Sequence, residues 1–506
     1  MHARVLGPYA YRPVALLQAL GVFPPAGGLP GAGAVPEDPG GQVVLLDSAG
    51  GSPRLARRSL LAWRPEAHLW AKDSRIVVSA SEPAPAGGSS ESRRWVRAES
   101  SGDPFVALRA GLGERPPSIA WWGPPGDDLE WVGAYGLVSY DAGRAIEVLP
   151  DSTRDDLRIP DMDVIYPTRW LCFDHERDRV TAVADSAVAL EEMEWLVSRA
   201  AQAPLVQLDL DVAGHSREES LHTASNMTEA EYEGMVARGR EYVWAGDIFQ
   251  TNLSQRLELP YEGDSALLYR VLRGLNPSPF AGYLRLSGYE LFSSSPERLV
   301  KLRGRVAEAR PIAGTRRRGK DFAEDGLLAD DLNLDPKERA EHIMLVDLER
   351  NDLGRVCDYG SVHVDELMVN ERYSHVIHIV SNVTGILRQD KDATDLLRAM
   401  FPGGTITGCP KVRCMEIIDE LETVRRGPYT GSFGFFGYGG DMDVNIVIRT
   451  LVRVGGRLYA QAGAGIVADS VPAMEYLETL SKAEAMVRAA RTAASLAREA
   501  GRPTAS

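Results

Sequence analysis

Cysteine is scarce: Cys172, Cys357, Cys409 and Cys414 are the only four in 506 residues. That excludes a disulfide scaffold, and with no CxxC pair it points to a reducing, cytoplasmic setting. No run of 18 apolar residues occurs, which excludes a membrane-spanning helix. The opening MHARVLGPYAYRPVALLQAL lacks the long apolar core of a signal peptide. Excess positive charge is missing too. With 56 Lys and Arg against 71 Asp and Glu, the net charge is −15 and the pI about 5.2. A chain this acidic is a poor candidate for general binding to nucleic acid or to a membrane surface, so any anion site must be a local positive pocket. There is no GK[ST] ending to make a P-loop, no Gly-rich GxCxG nucleophile turn and no internal repeat.

What is present is a globular composition, 44% hydrophobic and 25% charged, in a chain long enough for two or more cores. Residues 1–200 are loosely patterned. Loops are expected at 24–41 and 81–92, strands at 42–48, 75–81, 134–140 and 180–185, and a helix at 188–203. The polar stretch DVAGHSREESLHTASN (211–226) reads as a linker, and REAGRPTAS (498–506) as a fraying tail. The expected division is 1–210, a linker at 211–227, a catalytic unit at 228–490 and a tail at 491–506. The fold class is α+β.

Several stretches could carry chemistry, each with a plainer alternative. GDIFQTNLSQRLELP (246–260) alternates as a half-buried strand whose Gln250, Asn252, Ser254, Arg256 and Glu258 form a polar face; a solvated sheet face is equally consistent. In DPKERAEHIMLVDLERNDLGRV (335–356), Asp335 can cap a helix and Pro336 fits its first turn, which puts Glu338 and Glu341 on one face. A second helix after Pro472 places Glu475, Glu478 and Lys482 on one face. Such pairs could offer hard oxygen ligands to Mg²⁺ or simply face solvent. YAQAGAGIVADS (459–470) reads as a strand breaking into Gly463-Ala464-Gly465, where bare backbone could cradle an anion. FPGGTITGCPKVRC (401–414) carries Thr405 and Thr407 in a Gly-rich turn before a helix. Arg449, inside the expected strand 444–452, needs either a substrate carboxylate or a structural acid. His378 is a lone strand histidine, and Glu297 would need burial to serve as a general acid. PIAGTRRRGK (311–320) packs four cations into five residues, which suggests an anion site.

The order of GDIFQTNLSQR, SSSPERL, PIAGTRRRG, EHIMLVDLERNDLGRV, HIVSNVTG, FPGGTITGCPKVRCMEIIDELE, GSFGFFGYGGDMDVNIVIRT and AGAGIVADSVPAMEYLET resembles the chorismate-utilising enzymes. The large subunits of aminodeoxychorismate synthase and anthranilate synthase are the nearest branches. The resemblance is dense over 228–490. In the front third it rests chiefly on VVLLDSAGGSPRLARRSLLAW (43–63), which is similar to the family's effector-site segment.

The resemblance implies a two-layered β-sheet sandwich flanked by helices. It makes Glu341 and Glu478 Mg²⁺ ligands, with Glu338 and Glu475 in supporting places. Arg449, Lys482 and the backbone of Gly463, Ala464 and Gly465 become carboxylate binders, and Tyr429 a partner for the enolpyruvyl carboxylate. Glu297 takes the general-acid position, and His378 and Thr405 other active-site positions. Gln250 stands where water-adding relatives carry a Lys base, so ammonia, supplied by a separate glutamine amidotransferase subunit, is the expected nucleophile. PIAGTRRRGK becomes a wall of the site, with Arg316, Arg317, Arg318 and Lys320 anchoring it or facing solvent. Ala313 replaces the Lys that forms an adduct in the best-described aminodeoxychorismate synthases. The implied product is 4-amino-4-deoxychorismate, on the p-aminobenzoate and folate route. The alternatives are anthranilate with pyruvate, on the tryptophan route, or a non-enzymatic ligand sensor. Leu46, Asp47, Ser48, Asn276, Pro277, Ser278 and Pro279 outline an effector pocket, with tryptophan as its candidate occupant.

Overall fold

Strands are numerous because apolar and β-branched residues recur in short runs throughout the chain. The computed structural model describes residues 1–21, 34–50, 55–83, 93–113, 120–121, 129–204, 223–372 and 376–501. The described strands join one large curled sheet, flanked by helices. Their pairings are antiparallel except where His2–Gly7 meets Ala120–Trp121.

Sequence patterning located the four front strands and the helix closely, as Val43–Asp47, Arg75–Pro83, Gly133–Val138, Arg179–Ala184 and Ala187–Ala201. It missed the two longest strands of the front third, Arg58–Lys72 and Met162–Asp174, which pair along their lengths. Every residue of Met162–Asp174 is buried, so no alternation marks it. Most of the expected loops at 24–41 and 81–92, the linker residues 211–222 and the tail residues 502–506 lie outside the described residues. Residues 498–501 continue the last helix.

Strand pairing ties the front of the chain to the back. Val43–Asp47 lies against Phe280–Arg285, and Gly133–Val138 against Ser432–Gly437, with Gly133 opposite Gly437. One face of the sheet packs under Ser265–Leu275 and Pro472–Gly501 through Leu268, Leu272, Met486 and Ala490. Another core holds Phe105, Leu299, Leu396, Phe401 and Phe436. Side chains of this size contribute about 1.5–3 kcal/mol each by leaving water. Among the described residues no helix is long and apolar enough to cross a membrane.

Two helices carry the acid pairs expected from the sequence. Pro336–Gly354 begins as its sequence dictates: Asp335 accepts from the backbone N–H groups of Lys337 and Glu338, and Pro336 occupies the first turn. Pro472–Gly501 starts at Pro472 and carries Glu475 in its first turn.

Candidate active site

The strand Gln250–Pro260 runs beside Arg457–Ile466, with Asn252 opposite Gly465 and Ser254 opposite Gly463. The expected break at Gly463-Ala464-Gly465 does not occur; the strand continues to Ile466 because its partner stays paired with it. The glycines serve approach instead. A Cβ at Gly463 would collide with Asn252 Oδ1 and stand 2.9 Å from the Tyr429 hydroxyl, and one at Gly465 would collide with Gln250 Nε2. The polar face of the 250–260 strand is not solvated: Gln250, Asn252, Ser254 and Arg256 are all buried.

The strand's first residues also run along the Gly-rich turn. Asn252 N–H donates to Thr407 O at 2.9 Å, and Phe249 N–H to Cys409 O at 2.8 Å. This brings the turn's Thr405 beside the site, where its hydroxyl donates to Glu297 Oε1 at 2.9 Å. Glu297 is only 7% exposed. Burial pushes its carboxyl up to about 7, against the Thr405 hydrogen bond and the nearby charges of Arg449 and Lys482. It therefore holds a proton over a useful range.

Arg449 is not within a strand as expected. Met442–Asn445 and Thr450–Val454 are separate strands, and Arg449 sits between them with φ of 50°. The break turns its charge toward Glu297 and His378, on both of which it acts. His378 lies in the strand Val376–Ile386, is buried, and contacts the Gly314 carbonyl through Nδ1 at 3.2 Å. Burial, then Arg449, pushes it down to about 4, so it is neutral at pH 7.

PIAGTRRRGK is mostly strand, Ile312–Arg317, with a left-handed Gly314 (φ 67°). Its cations anchor it. Arg316 pairs with Asp331, Asp335 and Glu338, Arg317 with Glu324, and Arg318 with Asp325. Ala313 is buried at 7% exposure and presents only a methyl group.

The two glutamate pairs share one electrostatic neighbourhood. Glu341 is pushed up by burial and then by Glu338, and Gln250 Nε2 approaches its Oε1 at 3.4 Å. Glu475 is pushed up by burial, with Glu478 adding to the rise. Lys337 and Lys482 act on both helices' acids. Lys482 reaches Glu478 at 2.7 Å and donates to the Gly463 carbonyl at 3.0 Å. Among the described residues no three His, Cys, Asp or Glu side chains converge closely enough to hold a metal ion. The donor chemistry, two i,i+3 glutamate pairs in which burial and then the neighbouring glutamate push Glu341 and Glu475 up, nevertheless suits a hard divalent cation.

The effector-segment residues divide. Leu46, Asp47, Ser48 and Pro279 line a cavity of about 210 Å³, together with Trp131, Phe280 and Phe433. Asn276, Pro277 and Ser278 do not line it; Ser278 O accepts from Ala49 N–H at 3.2 Å. Asp47 is already engaged by Tyr11, Tyr269 and Arg273.

Sequence reasoning missed two groups. Arg426, fully buried, donates to the carbonyls of Asn252 and Ile406 and to Glu422, and lies over the Tyr429 ring. Glu349 and Asp352 sit on the buried side of the 336–354 helix, with Asp352 paired to Lys411 at 2.6 Å. The signal was available: both acids fall in register with Leu345, at i+4 and i+7. Burial, then Asp352, pushes Glu349 up to about 8. A carboxyl that binds its proton more tightly when folded stabilises fully below its unfolded value. That contribution is lost as pH rises through the folded value. For Glu349 the loss is on the order of 5 kcal/mol between about pH 4.3 and 8. Glu349→Gln is therefore expected to melt well above the unmodified protein at pH 9, with the gap closing toward pH 5. Equal gaps at both pH values in thermal melts would contradict this.

The arrangement has counterparts among solved structures. The crystal structure of anthranilate synthase component I from Streptococcus pneumoniae TIGR4 superposes with a TM-score of 0.72 at 33% identity, covering 85% of this chain and 92% of that one. An anthranilate synthase component I-like protein of Synechocystis sp. is 48% identical over 360 residues, 71% of this chain and 72% of its own. Aminodeoxychorismate synthase component 1 of Bacillus subtilis is 46% identical over 359 residues, 71% and 76%. The profile of the chorismate binding enzymes matches residues 44–488, and the chain belongs to that family.

Proposed function

We propose that this chain aminates chorismate with ammonia to give 4-amino-4-deoxychorismate, using Mg²⁺ and a partner glutamine amidotransferase subunit. The observation that carries the reading is the pairing of a buried, proton-holding Glu297 with Gln250, an amide that cannot act as a base toward water. Ammonia needs no base to become a nucleophile. Its lone pair forms the new C–N bond at the ring carbon that bears the leaving hydroxyl, the C–O bond there breaks, and the hydroxyl leaves as water with the Glu297 proton. A proton then lost from the new ammonium nitrogen balances the one Glu297 gave.

Arg449 and Lys482 supply the positive charge that substrate carboxylates require in an otherwise acidic protein. Tyr429, under the Arg426 guanidinium, and the bare backbone at Gly463 to Gly465 beside its hydroxyl would receive the other end of the substrate. Glu341 and Glu478, supported by Glu338 and Glu475, would hold the metal. Bound Mg²⁺ would neutralise the ring carboxylate and stabilise charge developing in the ring. The cavity at Leu46, Asp47, Ser48 and Pro279 is assigned to a small effector, tryptophan being the candidate.

One observation favours a second reading, anthranilate with release of pyruvate: the methyl group of Ala313 offers no amine for a covalent adduct. The test is incubation with chorismate, Mg²⁺ and ammonium chloride. Product that an added lyase converts to p-aminobenzoate supports the first reading. Fluorescent anthranilate alone overturns it in favour of the second, and an unchanged chorismate pool rejects both and leaves the ligand-sensor alternative.

A further inference from the structure

The turn that carries Tyr429 is held from two sides. On the side of the site, Arg426 donates to Asn252 O at 2.6 Å and to Ile406 O at 3.1 Å, which locks the turn to the 250–260 strand and to the Gly-rich turn. On the other side stands the front third of the chain. Tyr140 N–H donates to Gly427 O at 2.8 Å, and Asp141 Oδ2 accepts from Gly427 N–H at 2.9 Å. Gly427 is left-handed, with φ of 56°, so these two bonds grip a bend of one fixed shape. Further along, Arg154 N–H donates to Thr423 O at 3.3 Å, and Arg154 O accepts from Arg425 N–H at 3.0 Å. Rings complete the clasp. The Arg426 guanidinium carbon lies 4.9 Å from the centre of the Tyr140 ring and 5.5 Å from that of Tyr429. Both distances are within cation–π range, and all three side chains are buried, which strengthens the attraction. The Tyr429 hydroxyl in turn accepts from the Gly463 backbone, so its own O–H points away from that strand.

We propose that Tyr140 and Asp141 are positioning residues of the chorismate site, which fix the place of the Tyr429 hydroxyl through Arg426 and Gly427. The inference rests on the reading of Tyr429 above as a receiver of a substrate carboxylate, and it makes the front third of the chain a working part of that site. Neither residue touches substrate. An O–H reaches a carboxylate oxygen only over about 2.5–3.0 Å, so a small displacement of the Tyr429 turn forfeits the contact. Without the Tyr140 ring, Arg426 keeps Glu422 as its ion partner, at 2.7 Å, and is free to settle toward it. Without the Asp141 acceptor, the bend at Gly427 loses one of its two grips. A carboxylate contact away from the breaking bond is made equally in ground state and transition state. Its loss raises KM and leaves kcat in place. A purely structural clasp predicts the opposite: lower stability and a smaller active fraction, with the KM for chorismate unmoved.

The test is steady-state kinetics on the full chain with chorismate, Mg²⁺ and ammonium chloride, joined to equilibrium binding of chorismate with Mg²⁺ and no ammonium. Tyr140→Leu removes the ring. It is expected to raise the KM and the dissociation constant for chorismate about tenfold, as loss of a buried cation–π contact implies, and to change kcat and the KM for ammonia less than about twofold. Tyr140→Phe keeps the ring and deletes a hydroxyl that has no partner, so its KM for chorismate should stay within about twofold of the original. Asp141→Ala should raise the KM for chorismate about fivefold, and Asp141→Asn, which keeps an acceptor for Gly427 N–H, should restore most of it. A folded Tyr140→Leu with an unchanged KM for chorismate overturns the proposal. So does a loss confined to kcat, or a Tyr140→Phe that behaves like Tyr140→Leu. If Tyr140→Leu does not fold, Asp141→Ala against Asp141→Asn decides, and equal KM values for chorismate in those two overturn it. Failure of the amination reading is distinguishable: an unmodified chain that binds chorismate but forms no aminated product fails that reading, while the binding measurements still test this one.

Discussion

Glu297→Gln is expected to lower kcat on the order of 10²- to 10⁴-fold while leaving the KM for chorismate nearly unchanged. General acid catalysis by a positioned group contributes that much, and Gln has the shape of Glu but no proton to give. The buried pocket should accept the change, because Thr405 can donate to the amide oxygen as it does to Glu297 Oε1. The pH profile is the sharper readout. With the carboxyl at about 7, the acid is loaded below neutrality and empties as pH rises, so kcat/KM in free ammonia should fall above about pH 7. Free ammonia becomes more abundant over the same range, because ammonium loses its proton. Total-ammonium assays should therefore show an optimum where the two trends cross. In Glu297→Gln the alkaline fall should vanish from the residual rate. A profile that keeps its fall would assign the acid elsewhere, Glu349 being a buried carboxyl on which Glu297 acts.

Removal of divalent cation with EDTA is expected to cut chorismate consumption at least 100-fold, with recovery on adding excess Mg²⁺. Glu338 and Glu341 stand one turn apart, as do Glu475 and Glu478, and within each pair one carboxyl is driven to hold its proton more tightly. Lys337 and Lys482 offset this only in part, since both affected acids remain raised. A dication would relieve the repulsion and place its charge against the substrate. Glu341→Gln and Glu478→Gln should each show the same loss at ordinary Mg²⁺ concentrations. A readout independent of activity is the melting temperature. Mg²⁺ should raise it in the unmodified protein by mass action on the folded state and raise it less in Glu341→Gln. Full turnover in EDTA would remove the metal from the mechanism.

Much of the site was legible because its residues sit in long punctuated motifs. Asp335 and Pro336 announced the helix carrying Glu338 and Glu341, and Pro472 the helix carrying Glu475 and Glu478. Alternation in TNLSQR exposed the polar face of Gln250 and Asn252. What sequence could not show was burial. The strand of Gln250 has two covered faces, so its polar side looks like a solvent side until the groups packed on it, Glu341 and Glu422 among them, are placed. Arg449 misled because an apolar run hides a change of backbone direction, and only φ of 50° reveals it. Glu349 and Asp352 escaped because acids in helices are ordinarily exposed, and their packing depends on Lys411 from another helix. The strand Met162–Asp174 escaped for the related reason that full burial erases periodicity, and Arg58–Lys72 because it is buried over most of its length, with only Arg64 exposed.

The pairing of Gly133–Val138 with Ser432–Gly437 has a consequence for how the chain is made. During synthesis the earlier strand emerges long before its partner exists. Its neighbour Met162–Asp174 can cover one edge promptly, but the other edge waits until the later segment leaves the ribosome. The same delay applies to Val43–Asp47, whose partner Phe280–Arg285 comes much later. Contacts this distant in sequence slow folding, and open strand edges invite pairing with other chains. Yield should therefore respond to chaperone supply and to translation speed through the second half of the message.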